Sequence, residues 1–168
     1  SSQPKIVDGG VLVTEGGLPS INFTTELSNL GIAHSDLYGQ ATLDSYYVAK
    51  SSGNEYIYPS LATSGDAYGM TAVNGETSSP HLSSNYGSPS YYANGTHITG
   101  TTRDAIYTAT SGGKKLVAHI GANTTDSRWG TASMNFGNYQ NNTTYSFTGR
   151  LQEMIFFNTD QSANRTGI

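Results

Sequence analysis

The chain has no cysteine at all, which excludes disulfides, thiolate metal sites and a cysteine nucleophile. Charge is scarce too. Asp, Glu, Lys and Arg make up 12% of the 168 residues, roughly half the usual share. The 8 basic residues never cluster beyond Lys114-Lys115 and are outnumbered by 12 acidic ones, for a net charge of -4. A nucleic-acid surface needs grouped Lys and Arg to replace counterions, so that class of partner is not expected. No apolar run approaches the about 20 residues that span a bilayer, and no membrane partner is expected either. The start, Ser1-Ser2-Gln3-Pro4-Lys5, lacks the apolar stretch of a signal peptide. The end, Thr166-Gly167-Ile168, follows closely on what reads as a helix start, and the chain is expected to be a piece of a longer one.

What the chain has instead is small and polar. Its 21 Ser, 21 Thr, 13 Asn and 20 Gly make 75 residues, and these types compete with or weaken a helical backbone. With 12 Tyr, 5 Phe and 1 Trp it is too aromatic to stay disordered. Short alternating segments punctuated by turn residues predict an all-β domain over residues 1–168. Strands are expected at Val11–Thr14, Ile21–Thr24, Ala41–Lys50, Glu55–Tyr58, Tyr68–Val73, Lys115–Ala122, Ser133–Gly137 and within Thr144–Asn158. Ala41–Lys50 and Glu55–Tyr58 are expected to form a hairpin through Ser51-Ser52-Gly53-Asn54. Asn94-Gly95, between Tyr91-Tyr92-Ala93 and Thr96-His97-Ile98, is the strongest hairpin signal, because a type I′ turn needs positive φ at both central positions. Helix is expected near Arg103–Thr108 and from Ser162 onward. Strict alternation along Gly149–Phe157 puts Leu151, Glu153, Ile155 and Phe157 on one face and Met154 and Phe156 on the other, with Glu153 as a buried carboxylate in need of partners.

Several segments resemble concanavalin A-like (laminin G-like) jelly-roll domains. They are Gln3-Pro4-Lys5-Ile6-Val7, then Pro19-Ser20-Ile21-Asn22-Phe23, Tyr92-Ala93-Asn94-Gly95-Thr96 with Thr102-Arg103-Asp104-Ala105-Ile106-Tyr107 after it, and the closing run Phe147–Phe156 with Asp160–Arg165. This variant is similar to domains of phage and marine bacterial surface proteins, some grouped with the sandwich domain of α-L-arabinofuranosidase B. The resemblance implies a two-sheet antiparallel jelly-roll sandwich and a place outside the cell or on a virion. It covers lectins, adhesion modules and glycoside hydrolases alike, so function must come from site residues.

Hydrolysis of a glycosidic bond needs two carboxylates across one cleft, and the twelve acids are scattered without such a cluster. The histidines His34, His81, His97 and His119 form no pair, and no cofactor or metal is expected; Asp126 could ligate calcium, or stand in a solvated turn. A sugar is recognised by an aromatic face flanked by hydrogen-bonding side chains. Asp126, Arg128 and Trp129 combine acceptor, donor fork and stacking ring, and Tyr139, Asn141 and Asn142 form a second polar set. Trp129 could equally be a core plug. The expectation is a non-catalytic module that binds a glycan or cell-surface polysaccharide. Two alternatives are a structural decoration or fibre domain that contacts neighbouring copies or other virion proteins, and a glycosidase related to arabinofuranosidases.

Overall fold

A computed structural model describes residues 5–23, 30–32, 39, 41–57, 60–62, 67–68, 71–80, 87–123, 125, 133–136, 138–139 and 142–164. The elements begin with two short hairpins, β1 (Val7–Asp8) with β2 (Val11–Leu12) and β3 (Thr14–Glu15) with β4 (Leu18–Pro19). Then come β5 (Ile21–Phe23), β6 (Leu30–Ile32), β7 (Leu43–Ser51), β8 (Glu55–Ile57), β9 (Ser60–Ala62), β10 (Ala67–Tyr68) and β11 (Thr71–Val73). The chain continues through β12 (Ser90–Ala93), β13 (Thr96–His97), helix α1 (Arg103–Thr110), β14 (Lys115–Ala122), β15 (Ser133–Phe136), β16 (Asn138–Tyr139), β17 (Asn142–Ser146) and β18 (Gly149–Phe157). The all-β reading holds. The largest sheet has six antiparallel strands in the order β13-β12-β14-β7-β18-β5, and a four-stranded antiparallel sheet runs β10-β9-β15-β6. No helix among the described residues is long and apolar enough to cross a membrane.

One face of the large sheet carries Tyr47 and Ala49 of β7, Val117 of β14, Tyr91 of β12, Leu151 of β18 and Phe23 of β5. Ala72 of β11, Ile106 of α1, Phe147 and the half-buried Leu30 of β6 pack onto it. Phe23 and Phe147 meet edge to face at 5.4 Å. His119 is fully buried in this layer, with its ring edge-on to Tyr47 at 5.2 Å and Tyr91 at 5.0 Å. The opposite face gathers Tyr46, Ala118 and Ile120 with half-buried Tyr92, Leu116, Ile155 and Phe157.

Three expectations fail for identifiable reasons. β8 pairs with β11, not with β7, so the predicted hairpin at Ser51–Asn54 does not form. β7 instead spends both edges on β14 and β18, which leaves no free ladder for β8. Along β18, the register opposite β7 shifts between Leu151 and Glu153. That bulge adds one residue, Gln152, and turns every later side chain over. Leu151 therefore shares the core face with Met154 and Phe156, whereas Ile155 and Phe157 join the other cluster. Glu153 is exposed, not a buried carboxylate. At the C-terminal side, Ser162–Asn164 form a turn and not a helix start; Ser162 N donates to Asp160 at 2.7 Å, which holds that carboxyl below its ordinary range.

Candidate functional site

Asn94-Gly95 makes the expected turn, with φ of 49° and 79°. The turn is fastened to β14 twice: Asn94 N donates to Leu116 O at 2.8 Å, and Leu116 N donates to Asn94 Oδ1 at 2.9 Å. After β13 the chain runs over the start of α1. Gly100 is required there, because a Cβ on it would stand 2.4 Å from Ala105 Cβ. The helix begins on an N-cap at Thr102, whose Oγ1 accepts from Ala105 N at 3.3 Å. Its other leading amides are used by the preceding loop, Arg103 N on Ser79 O at 3.1 Å and Asp104 N on Glu76 O at 3.0 Å. The Ser78 and Ser79 hydroxyls in that loop hold the Glu76 carboxyl below its ordinary range. Asp104 Oδ1 in turn accepts from Gly75 N at 2.7 Å, which ties the helix to the turn after β11.

These anchors leave a cleft of about 630 Å³ between the β12–β13 hairpin and α1. Asn94, Thr96, His97, Thr99, Asp104, Thr108 and Lys115 supply its polar groups, and Ala93, Ile98 and Ala105 its apolar floor. His97 is exposed and its ring lies 5.0 Å from that of Tyr92, tilted by 40°. Of this pair only His97 lines the cleft, which sets one ring beside its hydrogen-bonding groups. Asp104 is the single carboxylate among the described lining residues, one short of the pair that glycoside hydrolysis uses.

A second hollow, about 370 Å³, opens on the other side of the large sheet's β5 end. Its floor is a row across three strands, because Arg150 is the ladder partner of both Asn22 and Lys50. The β3–β4 hairpin closes one wall. Lys50 Nζ lies 2.9 Å from Glu15 Oε1, and Gln152, the bulge residue, donates to Glu15 O at 2.8 Å. Phe23, Ser52, Thr148 and Gly149 complete the described lining.

The residues expected from sequence fare unevenly. Tyr139 and Asn142 are ladder partners at the facing ends of β16 and β17, strand positions and not the middle of a loop. Asp126, Arg128, Trp129 and Asn141 lie outside the described residues. Tyr91, one of the tyrosines near the Asn94 turn, is a core residue at 3% exposure. His97, Asp104, Lys115 and Arg150 were not singled out in advance. Each is a lone charged or polar side chain with no motif around it, which is common on any surface. No family model matches the chain, and neither a curated protein nor a solved structure shows significant similarity to it.

Proposed function

We propose that this chain is a non-catalytic carbohydrate-binding or adhesion module with a concanavalin A-like two-sheet architecture, displayed outside the cell or on a virion. The six-stranded and four-stranded antiparallel sheets would be its two layers, and Leu30 of β6 packed against the core face of the larger sheet supports that arrangement. The observation that carries the functional reading is the hairpin–helix cleft. It offers amide, hydroxyl, imidazole and ammonium groups on anchored backbone, with one carboxylate among the described lining residues. Asp126, Arg128, Trp129 and Asn141, with Tyr139 and Asn142, remain proposed contacts of the same module.

A second reading, assembly with another copy of the chain, is favoured by the first two hairpins. Ile6, Val7, Val11, Leu12 and Leu18 are there between 49% and 69% exposed, a concentration of apolar surface that marks interaction sites. Lys5 and Asp8 at its edge are matched to each other, with Lys5 Nζ 2.9 Å from Asp8 Oδ1.

A polysaccharide array followed by calorimetry, with sedimentation run in parallel, tests both. Sub-millimolar binding that falls at least fivefold in His97→Ala and Lys115→Ala supports the cleft; a loss confined to Trp129→Ala supports the module and moves its site to Trp129. Oligomers with no glycan bound would favour assembly and overturn the first reading. Release of arabinose or another sugar would overturn the non-catalytic assignment.

A further inference from the structure

Arg150 presents an anomaly that the cleft does not use. Its Nη1 is buried, and no acceptor among the described residues lies within hydrogen-bond distance of it. Buried guanidinium nitrogens are almost always paired, since removing such a donor from water costs several kcal/mol when nothing replaces the water. The neighbours do not supply an anion. Lys50 is a second cation, Asn22 is neutral, and the one carboxylate among the described lining residues, Glu15, is held by Lys50 at 2.9 Å. Counting these groups, the ion pair cancels and one positive charge is left at Arg150. Arg150 also lines the recess of about 370 Å³.

We propose that the recess is a carboxylate-binding site, in which Arg150 takes the acid group of a uronic acid residue. A guanidinium presents two parallel N–H groups that match a carboxylate, and a partly desolvated setting strengthens that pairing. Asn22, Ser52 and Thr148 stand around it as hydrogen-bonding partners for the hydroxyls of the same sugar ring. Glu15 has a definite part. It neutralises Lys50 and limits how strongly an anion is held. That the carboxylate belongs to a saccharide rests on the glycan-binding reading; that the recess takes a carboxylate does not.

The test is a backbone amide NMR titration of the whole chain with four probes: sodium acetate, glucuronate, an oligouronate and a neutral glucose oligomer. Glucuronate and oligouronate should shift the Asn22, Lys50 and Gly149–Arg150 amides, and added salt should weaken both. Arg150→Met should lose at least tenfold in affinity without losing thermal stability, because the buried Nη1 that it removes has no acceptor among the described residues. Glu15→Gln should bind uronate severalfold more tightly, by releasing Lys50, and this variant decides the matter should Arg150→Met fail to fold. Acetate binding as tightly as glucuronate would uphold the carboxylate site and overturn the sugar as its source. No shift at these amides with any carboxylate, or uronate binding unchanged in both variants, overturns the proposal. Binding of the neutral oligomer at the hairpin–helix cleft alone would overturn it too, and would leave the glycan-binding reading standing.

Discussion

Asp44 is fully buried, and its two oxygens are engaged by separate backbone amides: Gly121 N at 2.7 Å and Gln161 N at 2.6 Å. The first sits where the register of β14 against β7 shifts between His119 and Ala122, and the second lies beyond the end of β18. One carboxylate therefore fixes a bulge and docks the C-terminal segment. Asp44→Asn keeps the shape and changes only the polarity of one oxygen. The remaining oxygen can hold one amide, now as a neutral acceptor, and the new NH₂ must face the other N–H. Hydrogen bonds to a charged group contribute about 1.5–3 kcal/mol each, and a donor left without an acceptor costs about 1–3 kcal/mol. Both amides are only part-buried, so water relieves some of this. The expected loss is about 2–4 kcal/mol in urea unfolding, with unchanged m-value. Hydrogen exchange should show the Gln161 amide opening before the core strands do. A variant within about 0.5 kcal/mol of the wild type, with Gln161 equally protected, would refute the argument that this carboxylate ties the two segments together.

Gly149 has φ of 148°, and a Cβ there would stand 2.1 Å from Lys50 O, so Gly149→Ala should cost about 3–5 kcal/mol; Gly121, at φ 81° with nothing near its absent Cβ, should lose only about 1–2 kcal/mol on the same change. Equal losses at the two glycines would refute the clash at Gly149. Thr102→Ala removes the N-cap acceptor at a long 3.3 Å and should lower stability by about 0.5–1 kcal/mol in a thermal melt; a cost above about 3 kcal/mol would mean that Thr102 does more than cap. Deleting Gln152 restores strict alternation along β18 and should be far worse than Gln152→Ala, which loses only the bond to Glu15 O and about 1 kcal/mol. Comparable urea midpoints for the two would show that the bulge does not set the strand's facing.

What could be read in the sequence is what local chemistry decides. The Asn94-Gly95 turn needs two positive φ values and has the two residues that accept them. β14 was expected over Lys115–Ala122 and spans those residues, because a largely apolar run there is bounded by Gly112-Gly113 and the polar run at Asn123. Helix α1 was expected over Arg103–Thr108 and continues to Thr110, whose Oγ1 turns back onto Ile106 O at 2.7 Å. Pairing partners were not legible in the same way. β8 and β11 are 14 or more residues apart, and nothing in Glu55-Tyr56-Ile57 distinguishes β11 from the adjacent β7 as its neighbour. The recess was hidden for a related reason. Its floor joins Asn22, Lys50 and Arg150, which only strand order brings into one row.

The bulge at Gln152 shows how one residue decides which charges a sheet can use. Under strict alternation, Arg150 would share a face with Met154 and Phe156, and Glu153 would lie beside Leu151. Arg150 would then stand among core side chains, or Met154 and Phe156 would be turned away from the core. The extra residue separates the two requirements. Before it, Leu151 points to the core while Arg150 points to the recess; after it, Met154 and Phe156 return to the core and Glu153 goes to solvent. The bulge residue itself then reaches Glu15 O, the backbone of the residue that pairs with Lys50. Bulges increase local twist and re-aim side chains, and they persist where a sheet needs both at one place. Here the local irregularity lets one strand fill a hydrophobic layer and line a charged recess within nine residues. An anion site at Arg150 and a well-packed core at Phe156 therefore depend on the same inserted residue, and a change that straightens β18 should damage both together.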